Sequence, residues 1–268
     1  NYRVVARDGT WLVLRVYSSA EQAKKEVRAL LACAGAVPTP ALLHMDLEER
    51  YILTTFIDGE HFGDVLKESK PNDRQALAVA LGAVLARIHG IPLALPESDA
   101  PEYFAHIHAC LFSRGGDAVV GFARAEALWG RIEAKKRELV PHLQQRRLVH
   151  GDFKGSNILV RGSHGDWDVT GVLDWEYALA ASPLFDLSSF HQYIRNSVPK
   201  SAEKFLALFL KEYSSSAGPL PPNWPEICSY LNLIMHCDAL VTAAPASRRL
   251  LAGIRYIDAF LEKQDVKS

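Results

Sequence analysis

The apolar and polar positions of the first sixty residues predict short β-strands and one helix. Two runs rich in Val, Leu, Tyr and Trp are joined by Asp8-Gly9, a strong signal for a two-residue hairpin turn. Ser18-Ser19 and Gln22 have the spacing of a capping box, and the apolar residues that follow recur at helical intervals until Gly35. Two further apolar runs flank a polar turn. The predicted strands are 2–7, 10–17, 41–45 and 50–55.

After the segment 56–59 the apolar residues recur mainly at helical spacing, so this segment is the predicted boundary between two lobes. Two short apolar runs, 157–161 and 168–173, interrupt the helical pattern and predict a β-hairpin. We therefore expect an α+β protein with a sheet-rich N-lobe over 1–59 and a larger, mainly helical C-lobe over 60–268. The predicted helices are 73–90, 121–140, 182–195, 202–213, 224–241 and 247–262.

The charge balance argues for a small-molecule partner. The 268 residues carry 30 Lys and Arg against 31 Asp and Glu, a net charge of −1, with no long block of one sign. This argues against a nucleic-acid footprint and a polybasic membrane patch, and no apolar run is long enough to span a bilayer. The four cysteines are scattered in apolar segments, which favours a reducing cytoplasm. No pattern in the chain indicates its oligomeric state.

The candidate chemistry lies in the stretch LVHGDFKGSNILV and in GVLDWEYA, which follows it. His150, Asp152, Asn157 and Asp174 match the order of the protein-kinase catalytic loop, in which four residues separate the Asp from the Asn and a metal-binding Asp comes later. We assign Asp152 as the base that accepts the proton of the attacking hydroxyl. Asn157 and Asp174 offer the oxygen ligands that Mg²⁺ prefers. Each short motif alone is also compatible with an ordinary turn that ends a strand.

Lys154, Arg15 and Glu26 extend the predicted site. Lys154 follows the base by two positions and is either close enough to approach a transferring phosphate or a solvated loop lysine. Arg15 on the second strand and Glu26 on the next helix match the Lys and Glu with which protein kinases hold nucleotide phosphates, although a surface pair is the alternative. Because side chains alternate along a strand, Val13 shares the face of Arg15 and is expected to cover the nucleotide base.

Other polar residues are expected to be structural. His150 is expected to lie beneath the loop and to hydrogen-bond the backbone, because the aspartate already fills the acid–base role. Asp186, at the entry to a helix, is expected to be a buried or capping carboxylate. His106, His108 and Cys110 suggest a metal site, but histidines two residues apart do not share a helical face, so no metal is predicted there.

With these residues identified, the chain resembles the aminoglycoside phosphotransferase family, a branch of the kinase-like fold that also includes choline, homoserine and fructosamine kinases. Gly151 stands where protein kinases have arginine, and no Ala-Pro-Glu element follows Asp174. Both departures favour the small-molecule branch. The segments that carry the resemblance, in family order, are LVLRVY, YILTTFIDG, LARIHGI, LVHGDFKGSNILV, GVLDWEYA and SPLFDL.

The resemblance implies a two-lobed, protein-kinase-like fold that uses ATP or GTP together with Mg²⁺. It implies that the backbone of Thr55 and Ile57 binds the nucleotide base and that Leu159 and Leu173 form the floor beneath it. We also expect a phosphate-covering loop in a segment upstream of Asn1.

The predicted function is transfer of the γ-phosphoryl group to a hydroxyl of a small polar molecule, an aminoglycoside-type antibiotic or a related metabolite. A cationic acceptor requires carboxylates near the base. Glu212, Glu226 and Asp238 are candidates, although a solvated helix face is the simpler explanation of each of them. The alternatives are a nucleotide-binding pseudokinase without turnover and a protein kinase.

Overall fold

The four strand-like runs at the start of the chain form one antiparallel sheet. The computed structural model describes residues 1–92 and 103–265. Its first sheet pairs in the order β1-β2-β4-β3, so β2 has a neighbour on each side. The hairpin between β1 and β2 turns at Gly9, whose φ of +87° favours glycine. These strands are β1 (Tyr2–Val5), β2 (Trp11–Val16), β3 (Leu42–Asp46) and β4 (Tyr51–Thr55).

The helix α1 (Ala20–Cys33) follows this hairpin as the capping pattern predicts. Ser19 is its N-cap, and the Ser19 hydroxyl accepts a hydrogen bond from the Gln22 N–H at 3.3 Å. The buried face of α1 consists of small and apolar residues, with one exception. Glu26 is 5% exposed, and burying a carboxylate requires a partner that offsets the lost hydration.

Two further small sheets position the predicted catalytic segments. β5 (Glu60–His61), β7 (Ile158–Ser163) and β8 (Asp166–Val172) pair in the order β5-β7-β8. β6 (Arg147–Val149) pairs with β9 (Leu179–Ala181). The β7–β8 pair is the predicted hairpin. The catalytic segment therefore connects β6 to β7, and the DWE segment connects β8 to β9.

Helices make up most of the remaining described chain. The predicted helix over 224–241 is divided in two at Asn232, and a π-helix (Ala109–Ser113) follows α4. The helices are α2 (Phe62–Glu68), α3 (Pro71–Gly90), α4 (Tyr103–His108), α5 (Gly116–Val120), α6 (Phe122–Leu143), α7 (Leu184–Ser197), α8 (Ala202–Ala217), α9 (Trp224–Leu231), α10 (Leu233–Thr242) and α11 (Arg248–Asp265).

The described chain divides into two compact units. One comprises 1–92 and 147–220, and the other comprises 103–146 and 221–265. The sheets and α1, α2, α3, α7 and α8 belong to the first unit, while the second is helical. The mixture of antiparallel sheet and helix confirms the predicted α+β class. The lobe boundary predicted at residue 59 lies inside the first unit and stays a prediction.

An aromatic cluster ties the catalytic segment to the core of the first unit. Phe153, in the segment after β6, is 1% exposed, and its ring lies 5.3 Å from that of Phe190 on α7. Phe190 in turn lies 4.6 Å from Phe209 on α8 and 6.2 Å from Phe62 on α2. One side of the catalytic segment is therefore anchored by apolar packing.

No helix in the described part of the chain combines the length and the apolar character that crossing a bilayer requires. Cys33, Cys110, Cys228 and Cys237 are all buried and are not joined in disulfides.

We predict opposite effects for two helical glycine-to-alanine changes. Gly82 on α3 faces α8, and a Cβ there would lie 2.5 Å from the backbone oxygen of Phe209, so Gly82→Ala should destabilise the protein by about 1–3 kcal/mol through overpacking. Gly130 on α6 has open space where a Cβ would lie, with no atom within 4 Å, so Gly130→Ala should stabilise by about 0.4–1 kcal/mol. Urea unfolding followed by circular dichroism measures both. Equal effects of the two changes would contradict the close approach of α3 and α8.

Candidate functional site

A buried carboxylate holds the start of the catalytic segment. Asp186, in the first turn of α7, is fully buried. Its Oδ2 accepts a hydrogen bond from the His150 backbone N–H at 2.7 Å, and its Oδ1 accepts one from the Gly151 N–H at 2.9 Å. Burial alone would raise the pKa of the Asp186 carboxyl, but hydrogen bonds from the His89 side chain and the His150 backbone N–H hold the pKa below its ordinary value. Asp186 is therefore ionised and fixes the backbone that leads to Asp152.

His89, from the LARIHGI segment at the end of α3, is the third partner of Asp186. The His89 Nε2 lies 3.1 Å from Asp186 Oδ2, and its Nδ1 lies 2.8 Å from the Tyr213 hydroxyl on α8. A carboxylate only accepts, so the His89 Nε2 carries a proton and donates it to Asp186, and the Tyr213 hydroxyl is the hydrogen-bond partner of Nδ1. This chain of hydrogen bonds fixes the anchor to two helices.

His150 links the two catalytic segments from below, as predicted. It is fully buried, and burial lowers its pKa, so the ring is neutral. Its Nε2–H donates to the Leu173 carbonyl at 2.9 Å, and its Nδ1 accepts from the Asp152 N–H at 3.2 Å. The Leu173 N–H in turn donates to the Asn157 carbonyl at 2.8 Å. These hydrogen bonds hold the backbone of Leu173, which precedes Asp174, beside Asp152 and Asn157.

Asp152, the predicted base, contacts both Lys154, the other predicted catalytic residue, and Asn157, a predicted metal ligand. The Asn157 Nδ2 donates to Asp152 Oδ2 at 2.8 Å and to the Asp152 carbonyl at 3.0 Å. The Lys154 Nζ lies 2.7 Å from the same Oδ2. The side chain of Asp152 is 25% exposed and that of Lys154 is 45% exposed, so the group is open to a reactant.

Two glycines explain the course of the loop around Asp152. Gly151 has a φ of +80°, and a Cβ there would lie 2.4 Å from the backbone oxygen of Tyr177. Gly155 lies against Gly63 of α2, whose N–H donates to the Gly155 carbonyl at 3.1 Å. A side chain at either position would displace the loop. The glycine that follows His150 is therefore a conformational requirement of this chain.

Arg15 lies among three carboxylates. Its Nη1 donates to Glu26 Oε1 at 3.2 Å, and its Nη2 lies 3.0 Å from Glu176 Oε2 and also donates to Asp174 Oδ1. Burial alone would lower the pKa of the guanidinium, but the charges of Glu26 and Asp174 raise it, so Arg15 stays cationic. Burial, opposed by Arg15, raises the pKa of Glu26 to about 7. The predicted pair is present, with Arg15 further connected to the DWE segment.

A cavity of about 240 Å³ adjoins this cluster. The Thr55 N–H donates to the Ala41 carbonyl at 3.0 Å, so that donor is not free for a ligand. No described residue takes up the backbone N–H or carbonyl of Ile57. The residues predicted for nucleotide binding that line the cavity are Val13, Arg15, Glu26, Thr55, Ile57, Leu159 and Leu173, together with Asp174.

The donor set of the site suits Mg²⁺. Asn157 uses its amide nitrogen to hold Asp152, which leaves its oxygen directed elsewhere, with the Ser156 hydroxyl donating to it at 3.1 Å. The Asp174 carboxylate is 30% exposed. One guanidinium among three carboxylates also leaves an excess of negative charge. Hard oxygen donors with excess negative charge fit a magnesium ion.

Glu176 is a member of the cluster that sequence reasoning missed. Its signal was an acid two residues after Asp174, in DWE, but two acids so close along a chain usually indicate only a polar turn. Asp174 has a φ of +68°, in the left-handed region that few residues other than glycine adopt. A 3₁₀ turn, Trp175–Tyr177, follows it and directs Glu176 toward Arg15.

The second unit contains the other polar cluster singled out from sequence. His106 and Cys110 are four residues apart in the chain, and their side chains lie near that of Asp238 on α10. One possible ligand atom from each of the three residues lies within 4.8 Å of the other two. Arg249 lies 3.0 Å from the Asp238 carboxylate and Arg114 lies 3.6 Å from it. These guanidinium groups balance the carboxylate. The cluster therefore has a structural explanation as an ion-pair network.

Comparison with known proteins gives a family and a set of relatives. The model of the phosphotransferase enzyme family, APH, matches residues 1–227. "Acyl-CoA dehydrogenase family member 10" of Mus musculus is 27% identical over 205 residues, which cover 68% of this chain. This chain spans only 18% of that protein's length. The relative is therefore a much longer protein with one region similar to this chain.

Solved structures share the fold across nearly the whole chain. The GDP and kanamycin complex of APH(2")-IIia has a TM-score of 0.71 at 17% identity and covers 100% of this chain and 90% of its own. Choline kinase LicA from Streptococcus pneumoniae has a TM-score of 0.68 at 16% identity and covers 98% of this chain and 89% of its own. These neighbours confirm the predicted kinase-like fold.

We predict that Glu26 makes stability depend on pH. Its folded pKa of about 7 lies above its ordinary value of 4.5, so the folded state holds the proton more tightly than the unfolded state. The stabilisation is fully present below pH 4.5 and is lost as the pH rises through 7. The difference in unfolding free energy between wild type and Glu26→Gln should therefore fall over this range and level off above it. Urea titrations at several pH values measure it, with Glu203→Gln at an exposed position as the control. Parallel curves for wild type and Glu26→Gln would refute the assignment.

Proposed function

The chain belongs to the phosphotransferase enzyme family, and we propose that it transfers the γ-phosphoryl group of ATP or GTP to a hydroxyl of a small polar molecule. The observation that supports this best is the continuous set of contacts from the cavity to the base. Asp174 lines the cavity, the backbone before it bonds to Asn157, and Asn157 holds Asp152. A phosphoryl donor in the cavity would reach its acceptor along this line.

The cavity suits a nucleotide base. Its volume of about 240 Å³ is below the roughly 300–1,000 Å³ of whole small-molecule pockets, so it accommodates part of a ligand rather than all of it. Val13, Leu159 and Leu173 supply apolar surface for the ring faces, and the unpaired backbone of Ile57 supplies the polar edge. The Thr55 N–H donates to the Ala41 carbonyl and the Thr55 Oγ1 accepts from the Ala41 N–H, so the carbonyl and the hydroxyl hydrogen of Thr55 are left for this role.

Arg15 would orient the phosphates. It lines the cavity beside Asp174 and is cationic, and a guanidinium matches phosphate oxygens with paired donors. Glu26 holds one end of the guanidinium, which limits the number of positions that Arg15 can adopt. Asn157 and Asp174 would hold Mg²⁺, which when bound would neutralise charge on the phosphate oxygens.

Asp152 would act as the base toward the acceptor hydroxyl. Asn157 and Lys154 both contact its Oδ2, which leaves Oδ1 for an incoming hydroxyl. Lys154 would offset negative charge on the transferring phosphoryl group, because it is next to the base and half exposed.

Two proteins of similar fold support a proposal for the acceptor class. The complex with kanamycin and the choline kinase both concern small polar molecules that carry hydroxyl groups and cationic nitrogen. We propose an acceptor of this kind, an aminoglycoside-type antibiotic or a related metabolite. Glu226 is paired with Lys135, and Asp238 is paired with Arg249, so neither is a free carboxylate for a cationic acceptor.

Four buried cysteines and the need for ATP or GTP support a cytoplasmic location.

An assay of ADP or GDP release across chemical classes of acceptor tests this proposal. Aminoglycosides, macrolides, amino alcohols, sugars and glycated amines would each be supplied with Mg²⁺ and ATP or GTP, and we expect turnover with at least one class. Nucleotide binding without transfer to any acceptor would instead support a pseudokinase. Transfer of label to protein substrates alone would support a protein kinase.

We predict that Asp152→Asn lowers kcat by about 10²–10⁴-fold and leaves nucleotide binding largely unchanged, because the amide cannot accept the hydroxyl proton. The assay is turnover with the best acceptor, and the thermal shift with Mg²⁺-nucleotide reports binding. Asp168→Asn, at an exposed position in β8, is the matched control and should have no effect. Turnover near the wild-type rate in Asp152→Asn would remove the base assignment.

A further inference from the structure

Arg15 has two carboxylate partners in the DWE segment, and one of them has no role in the proposed reaction. Its Nη2 contacts both Asp174 and Glu176. Glu176 Oε2 lies 3.0 Å from that nitrogen, and its side chain is only 20% exposed. We propose that Glu176 is a positioning residue that holds Arg15, and through Arg15 the nucleotide phosphates. This inference rests on the proposed function.

The turn that carries Glu176 is rigid. Trp175, the residue before it, is fully buried, and its Nε1–H donates to the Val172 carbonyl at 3.0 Å. Its ring lies 4.5 Å from that of His150 beneath the catalytic loop. Glu176 therefore starts from a fixed backbone. A carboxylate presented in this way can hold a long and flexible side chain such as arginine in one place.

Glu176 also accounts for an arginine at position 15. The two terminal nitrogens of the guanidinium have different partners, since Nη1 contacts Glu26 on α1 and Nη2 contacts the DWE segment. A lysine has one terminal nitrogen and cannot span partners on both sides in this way. Arg15 thus connects α1 to the DWE segment, and Glu176 supplies the far end of that connection.

The second consequence concerns Asp174. Asp174 is needed for Mg²⁺ in the proposed reaction, yet it also contacts Arg15. Glu176 gives the same Arg15 nitrogen a second carboxylate partner. Arg15 can therefore keep its position while the Asp174 carboxylate turns to another ligand. Without Glu176, the two tasks of Asp174 would compete.

A double-mutant cycle on stability tests the contact without reference to any reaction. Arg15→Lys and Glu176→Gln are made singly and together, and each melting temperature is measured in the absence of nucleotide. The melting-temperature change of the double variant should differ by about 2–4 °C from the sum of the changes in the two single variants, as expected for side chains that interact. Additive shifts would overturn the contact. The matched control pairs Arg15→Lys with Glu203→Gln, which is exposed on α8 and should be additive.

The nucleotide titration tests the positioning role. Glu176→Gln should raise the KM for the nucleotide, or its Kd by thermal shift, about tenfold while leaving the KM for the acceptor unchanged. The effect should be much smaller in the Arg15→Lys background. If Glu176→Gln leaves the nucleotide affinity unchanged, the proposal is overturned. It is also overturned if Glu176→Gln weakens nucleotide binding as much in the Arg15→Lys background as in the wild type and raises the Mg²⁺ concentration that is required. If the wild type binds nucleotide and transfers nothing, the proposed function fails, while the stability cycle and the Kd still decide the role of Glu176.

Discussion

Burying one ionised carboxylate is the constraint on which the site depends. An isolated charge is very costly in a protein interior, so Asp186 must be surrounded by donors. Two of these donors are the backbone N–H groups of His150 and Gly151, and the third is the ring of His89. Most other conformations of the loop before Asp152 would leave the Asp186 carboxylate without these partners, so they are unfavourable. Because the buried carboxylate requires these hydrogen bonds, the backbone of His150 and Gly151 is held in one position next to Asp152.

A second buried charge, the positive guanidinium of Arg15, constrains the part of the site next to the cavity in a similar way. Arg15 is a mostly buried cation, and its partners come from α1 and from the DWE segment, which are distant in the sequence. Each end of the guanidinium constrains one element. His150 lies between the two charged centres, and its hydrogen bonds connect the loop near Asp186 to the backbone near Asp174. Few side chains are thus responsible for the relative position of the two catalytic segments.

How much of this could be predicted depends on whether the signal is local. The Asp152 to Asn157 spacing, the hairpin turn and the helix cap are local patterns, and the structure contains the corresponding elements. Glu176 and the engaged N–H of Thr55 depend on partners far along the chain, Arg15 and Ala41, and no spacing reports such contacts. The break at Asn232 was missed because apolar periodicity continues across it. The family resemblance indicated the fold, while the hydrogen bonds of the site are visible only in the structure.

The most direct test of the account is amide hydrogen exchange of the segment 148–153 in Asp186→Asn. Asparagine keeps the size of the side chain but replaces one acceptor oxygen with a donor, so one of the two backbone N–H groups loses its partner. The account predicts much faster exchange at His150 and Gly151, while α3 and α8 keep their wild-type protection. Unchanged exchange in 148–153 would show that the loop is held by its apolar packing alone, and it would contradict the central role of the buried carboxylate.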